Sequence, residues 1–283
     1  MNTPLLEVQD LAVTYPVKGW RRPDFRALSD ISLTVERGET VGLVGESGSG
    51  KTTLGRAVLG LAPVASGRIV FEGRDISRLH ARERRGLSSD IQVVFQDPYS
   101  SLNPAMTIAD ILAEPLSISG LSRTDALQRV RELLDQVGLP QDSSRRLPRE
   151  FSGGQRQRIA IARALALRPK LIVCDEVVSA LDLTTRSRVL DLLIDLQEQT
   201  GIAYLFIAHD LSVVRHISHR VVVMRRGRIV ESGDAATITT DPAEPYTQRL
   251  LLAAPVPDPA RQAARRAHLE SLPPITDVVT LDK

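Results

Sequence analysis

At 283 residues, 42% hydrophobic and 25% charged, the chain has the composition of a soluble globular protein, with room for one large or two small domains. Its 36 Lys and Arg against 34 Asp and Glu leave a net charge of +2, so no whole-molecule field points to nucleic acid, and its single cysteine excludes an intrachain disulfide or a multi-cysteine metal site. The opening MNTPLLEVQD lacks the pattern of a signal peptide, and apolar runs such as residues 202–208 fall far short of the roughly 18 residues a membrane span needs, so a cytosolic or peripheral protein is expected.

In chain order, residues 5–15 and 31–35 alternate in polarity as half-buried strands do. Residues 40–44 form a short apolar run that ends at GESGSGKT, and residues 51–59 then read as a helix. Residues 69–71 and 91–95 are further strand candidates, the second ending at Gln96. From 98 to 150 the sequence turns Pro-punctuated and mostly helical, with a stripe of Leu127, Val130, Leu133, Leu134 and Val137; this predicts an inserted helical subdomain. After FSGGQ a helix continues over 159–167 and stops at Arg168-Pro169. Residues 171–174 are a buried strand ending in Cys174, Asp175 and Glu176; residues 188–199 are an amphipathic helix with Val189, Leu192, Leu193 and Leu196 inward. Residues 203–207 make another buried strand, running into His209-Asp210, and residues 221–224 and 229–231 close a hairpin across Arg226-Gly227. Beyond Ala236, EPYTQRLLLAAPVPDP suggests a short helix and then a Pro-rich extension; the remainder, with Arg261, Arg265 and Arg266, has little apolar content. The alternation implies an α/β fold with a mostly parallel sheet, whose ligands collect at the carboxyl ends of the strands. Gly45, Gln96, Asp175 and His209 all lie just past such ends.

Three motifs carry chemistry. GESGSGKT fits the pattern G-x-x-x-x-G-K-[ST]: Gly45, Glu46, Ser47, Gly48, Ser49 and Gly50 form a loop whose backbone N–H groups can face phosphate oxygens, with a helix N-terminus behind them. Lys51 should reach the β- and γ-phosphates, Thr52 should ligate Mg2+ through its hydroxyl, and Thr53 continues the site. Asp175 and Glu176, at a strand end, suit a metal-holding carboxylate followed by a base for the attacking water. Ser152, Gly153, Gly154 and Gln155 open a helix as a second anion cradle, which a single triphosphate bound within one chain does not need.

With these residues the chain resembles the nucleotide-binding subunit of ATP-binding cassette (ABC) transporters over about residues 5–259. In that likeness GESGSGKT is the Walker A motif, LIVCDE the Walker B, FSGGQ the signature, SALD the D-loop with Asp182, Gln96 the Q-loop residue and His209 the switch histidine. The resemblance implies a P-loop NTPase core with an N-terminal antiparallel β region and an inserted helical subdomain. It implies that two such subunits meet head to tail, the signature of one completing the ATP site of the other. It also places Gln96 with Thr52 and Asp175 around Mg2+, His209 at the γ-phosphate and Tyr15 on adenine, Tyr15 otherwise reading as edge packing. The implied division is a core of 1–98 and 160–235, a helical signature subdomain of 99–159 and an extension of 236–283. TYPVKG, VVFQDPYSSLNP, CDEVVSALD and EPYTQRLLLAAPVPDP are similar to the ATPases of oligopeptide, dipeptide and nickel importers. That likeness implies ATP and Mg2+ as ligands and hydrolysis by Glu176, His209 and Lys51. Its implied partners are a second unlike ATPase, two transmembrane permeases and an extracytoplasmic substrate-binding protein, with no nucleic acid, on the cytoplasmic face of the membrane. Cargo stays open between peptide, nickel and another solute. A DNA-repair or chromosome ATPase is disfavoured, because only residues 97–150, broken by five prolines, separate Gln96 from the signature. One departure stands out: Val177 occupies the place where these subunits usually carry Pro, which could loosen the turn that aims Glu176.

Overall fold

A computed structural model of the chain describes residues 3–17, 24–97, 101–253, 263, 265–267 and 269. Two sheets form the frame. The first is antiparallel, in the order β2-β1-β4-β5, from β1 (Leu6–Tyr15), β2 (Phe25–Val35), β4 (Val64–Phe71) and the short β5 (Arg74–Asp75). The second has the order β10-β9-β3-β8-β7-β6: β3 (Thr40–Val44), β6 (Ile91–Val94), β7 (Leu171–Asp175), β8 (Ala203–Ile207) and β9 (Arg220–Arg225) run parallel, and β10 (Arg228–Asp234) closes an antiparallel hairpin. The α/β class with a mostly parallel main sheet and an N-terminal antiparallel region is therefore present.

The central strand β8 shows how sequence sets this frame. All five residues of AYLFI are buried, so the alternation of a half-exposed strand is absent and both faces must be covered. Leu205 and Ile207 join one cluster with Leu43, with Leu54 of α1 (Lys51–Val58) and with Leu6, Leu28 and Phe71 of the first sheet. Tyr204 and Phe206 point the other way, into a cluster with Ile172, Val223, Leu193 of α6 (Leu183–Thr200) and Val214 of α7 (Leu211–Ile217).

Between β6 and β7 lie the helices of the insert. After α2 (Ala81–Leu87) and β6 come α3 (Ile108–Ile118) and α4 (Arg123–Gln136), each opened by a hydroxyl cap: Thr107 accepts from Asp110 N and Ser122 from Asp125 N, both at 3.2 Å. Of the expected stripe, Val130, Leu133, Leu134 and Val137 are buried, but Leu127 is 41% exposed and Ala126 takes the inward position. Burial therefore turns the inward face of α4 by one residue at its start, and the longer side chain is left outside. The signature helix α5 (Gly153–Leu165) begins at the glycines themselves and ends before Arg168, which sits at φ +54°. Leu192, expected inward on α6, is only partly buried, and Leu190 is fully packed in its place.

Beyond the hairpin, α8 (Ala235–Thr240) and α9 (Pro245–Ala253) pack against the second cluster through Ile238 and Tyr246. The short helix expected in EPYTQRLLLAAPVPDP is thus α9; residues 254–259 of that motif, Arg261, Lys18 and Gly19 of TYPVKG and residues 98–100 of VVFQDPYSSLNP lie outside the described residues. Among the described residues, no helix is long and apolar enough to cross a membrane.

Candidate functional site

The phosphate loop leaves β3 at Gly45, whose φ is +150° and whose hydrogen faces Met224 on the adjoining β9; a Cβ there would stand 2.1 Å from the Met224 carbonyl oxygen. Only glycine fits. The loop is braced from the hairpin side, where Gly227 N donates to Ser49 O at 2.9 Å. Lys51, at the first position of α1, is 4% exposed, and its Nζ donates back to Gly45 O at 2.7 Å and Glu46 O at 2.9 Å. Burial lowers the Lys51 pKa, and the nearby charges of Glu176, Asp175 and Glu46 oppose that effect.

Thr52 Oγ1 donates to Asp175 Oδ1 at 3.2 Å, linking the loop helix to the end of β7. Burial pushes the Asp175 carboxyl up, against the Thr52 hydrogen bond and the positive charges of Arg56, Lys51 and His209. Glu176 follows at φ +54°, its N–H bonded to Ile207 O at 3.0 Å and its carbonyl accepting from Ser179 N at 3.1 Å and Ser179 Oγ at 2.9 Å. Its carboxylate Oε1 meets His209 Nε2, so the residues just past β7 and β8 touch. Val177 is buried, and the Ser179 bonds close the turn that a proline would otherwise restrict.

Ser47, Lys51, Thr52 and Thr53 line one cavity of about 240 Å3 together with Glu176 and His209. A residue that sequence reading missed lines it too. Phe25 opens β2 directly opposite Tyr15 and is 60% exposed, whereas Tyr15 is half-buried and is not among the lining residues. The sequence signal was an aromatic after WRRPD, lost because the strand was read as starting at residue 31. Gln96 lies two residues past β6, exposed, on the strand beside β7 and outside the cavity lining.

The second cradle sits elsewhere. Ser152 caps α5, accepting from Gln155 N at 3.3 Å, while Gln155 Oε1 accepts from Ser152 N at 3.0 Å. Ser152 and Gln155 are exposed, Gly153 is half-buried and Gly154 buried; none of the four lines the phosphate-loop cavity. Asp182 caps α6 by accepting from Thr185 N at 3.0 Å, and that bond holds its carboxyl below the usual range. The arrangement brings the glycine loop, Lys51, Glu176 and His209 together around one cavity and leaves the helix N-terminus at Ser152 outside it.

Residues 28–179 match the family model described as ABC transporter. The chain is 50% identical over 266 residues to a probable peptide ABC transporter ATP-binding protein of Sinorhizobium fredii, covering 92% of this chain and 75% of that protein. It is 49% identical over 271 residues to the glutathione import ATP-binding protein of Salmonella choleraesuis, covering 94% of this chain but 44% of that protein, so it spans under half of that relative's length. Among solved structures, the fold is similar to the ATP-binding cassette MJ0796, solved as a dimer in a post-hydrolysis state with ADP and Pi: TM-score 0.73, 28% identity, covering 81% of this chain and 98% of that one.

Proposed function

This chain belongs to the ABC transporter family, and we propose that it binds and hydrolyses ATP to drive an importer of oligopeptides or dipeptides. One observation carries the ATPase part: Lys51, Thr52, Glu176 and His209, which lie far apart in sequence, surround one cavity at the carboxyl ends of the parallel strands. The peptide part is supported by relatives whose names specify peptide and glutathione import.

In this reading the loop N–H groups and the α1 N-terminus take the β- and γ-phosphates, and Lys51 turns from the loop carbonyls to the phosphate oxygens. Glu176 accepts a proton from water aligned for in-line attack, with His209, already against its carboxylate, beside the γ-phosphate. Thr52 and Asp175 are paired oxygen donors, one a buried carboxylate that gains from a neighbouring cation, and so fit Mg2+, with Gln96 as the third protein group. Among the described residues no cluster of three carboxylate, His or Cys side chains is poised for a metal, so nucleotide oxygens and water would complete the shell. Mg2+ held there would supply charge neutralisation for the phosphoryl oxygens. Phe25 shares with Tyr15 the work of covering the base, since it is the aromatic that borders the cavity.

Ser152 and its glycines act on the nucleotide of a partner subunit, a reading supported by the exposure of Ser152 and Gln155 and by their place outside their own chain's cavity. The permeases dock on the groove of about 520 Å3 between α3, α4 and the loop at 166–168, lined by Leu116, Leu121 and Arg129 and flanked by Ile118, which is 83% exposed. We assign residues 99–159 to the moving subdomain, 1–98 and 160–235 to the core, and the protein to the cytoplasmic face of the membrane, held there by its partners.

The test is purification of the tagged chain from native membranes in mild detergent, followed by ATPase assay with a peptide-loaded binding protein. Two multi-span permeases, a second unlike ATPase and stimulation by peptide are expected. Retention of DNA or of no membrane protein, or an ATPase indifferent to peptide, would overturn the importer reading.

A further inference from the structure

The C-terminal extension reaches the phosphate loop. Tyr246, on the first turn of α9, is 5% exposed, and its hydroxyl oxygen accepts from the backbone N–H of Glu46 at 3.0 Å. The ring is fixed on two sides, in the cluster that includes Val223 and Phe206 and under the Arg225 guanidinium 5.3 Å from its centroid. The helix is itself moored: Ala243 N donates to Glu231 Oε1 at 2.7 Å and Gln248 Nε2 to Pro242 O at 2.9 Å. A cavity of about 230 Å3 beside this bond is lined by Tyr246, Arg225, Arg226 and loop residues 46–49.

Glu46 is the residue at which the chain leaves the close-packed Gly45 and enters the loop. Its N–H is held by Tyr246, and its carbonyl by Lys51 Nζ at 2.9 Å and Ser49 N at 3.1 Å. Nucleotide binding asks Lys51 to exchange that carbonyl for phosphate oxygens. The Tyr246 bond faces no such exchange, because neither Tyr246 nor Glu46 lines the cavity that holds Lys51, Thr52, Glu176 and His209. Burial raises the pKa of the phenol, which stays protonated and neutral at physiological pH and does not add negative charge beside the phosphates.

We propose that Tyr246 is a positioning residue for ATP, holding Glu46 of the phosphate loop from the C-terminal extension while Lys51 moves. This rests on the reading of the loop as the ATP site. The extension is then part of the nucleotide site and not an appendage to it.

Tyr246→Phe keeps the ring, its packing and the Arg225 contact and removes the acceptor alone. In the full chain, titration with a fluorescent ATP analogue should show binding weakened about two- to ten-fold, because a loop freed at Glu46 must be ordered when the phosphates bind. Amide hydrogen exchange should accelerate at Glu46 and stay unchanged through α9, with the melting temperature lowered only by the one lost hydrogen bond. In the purified assembly, KM for ATP should rise by the same factor while kcat falls by less than about twofold. Wild-type affinity with unchanged Glu46 exchange would overturn the proposal, as would a loss of affinity matched by a lower melting temperature and faster exchange across α9. Failure of the wild-type chain to bind the analogue would sink the ATP reading instead, and the Glu46 exchange rate would still report whether Tyr246 holds the loop.

Discussion

Glu176 occupies the left-handed region at φ +54°, a conformation that costs an L residue with a Cβ roughly 1–2 kcal/mol. Bonds from Ser179 and to Ile207 hold it there, so the residue proposed as base is aimed by its backbone and not only by its rotamer. Glu176→Gln preserves size, backbone and the reach to His209 and removes proton-accepting capacity. Turnover in the assembly should fall about 10²- to 10⁴-fold with ATP affinity within about twofold, measured by phosphate release and nucleotide titration; undiminished turnover would exclude this carboxylate as the base. Asp175 makes a different prediction. Burial raises its pKa above 3.8, so the group favours the fold below that pH, and this contribution is lost as pH rises through the folded-state value. At pH 7 the ionised, partly buried carboxylate is therefore a net cost in the nucleotide-free protein. Asp175→Asn should raise the melting temperature at pH 7 while abolishing ATPase activity, and the gain should shrink toward pH 4 in a pH series of thermal scans. A pH-independent gain would mean that packing, not charge, had changed.

Among the elements, α5 and α6 carry the signature and the D-loop and meet at Gly154 and Thr185. A Cβ on Gly154 would stand 2.2 Å from Thr185 Cγ2, a branched methyl with little rotamer freedom in a helix. Gly154→Ala gains up to about 1 kcal/mol of helix propensity and loses about 1–3 kcal/mol to overpacking, for a net destabilisation up to about 3 kcal/mol. Thr185→Ser deletes that methyl alone and leaves the backbone N–H bond to Asp182. Gly154→Ala combined with Thr185→Ser should therefore regain the stability lost by the single alanine variant, with positive coupling in a double-mutant cycle by urea unfolding; additive losses would refute the close approach. That contact was not legible in the sequence, which shows SGGQ and SALDLTT 24 residues apart with nothing to register one against the other. The strands were legible, because AYLFI and LIVC are apolar on both faces and end at functional residues. Where an exposed strand start lacks a pattern, as at Phe25, the boundary slipped and a cavity-lining aromatic slipped with it, whereas β1 was legible to within one residue despite its irregular pairing between Val8 and Val13.

At the scale of the whole molecule, the chain has two glycine-rich helix N-termini that we read as anion cradles, and it brings a glutamate and a histidine to only one. Lys51 heads α1 in the cavity with Glu176 and His209, whereas Ser152 heads α5 outside it. If both served one bound nucleotide within the chain, Ser152 would have to border that cavity, and it does not. We read the outward cradle as serving another subunit's phosphates, a reading supported by the similarity to a cassette solved as a dimer with ADP and Pi. The two ends should then separate in experiment. Ser152→Arg places a long cation at an exposed cap, costing about 1 kcal/mol of helix capping, and leaves the cavity lining untouched. In the full chain alone, ATP affinity should be unchanged within about twofold. In the assembly, turnover at the partner's phosphate loop should fall at least about tenfold, read by combining Ser152→Arg here with a disabled phosphate loop on this chain so that only the partner's site remains. Lys51→Ala should do the reverse, abolishing nucleotide binding to this chain and sparing the partner's site. If Ser152→Arg weakened ATP binding to the isolated chain, the two cradles would be serving one nucleotide, and the head-to-tail arrangement would fall.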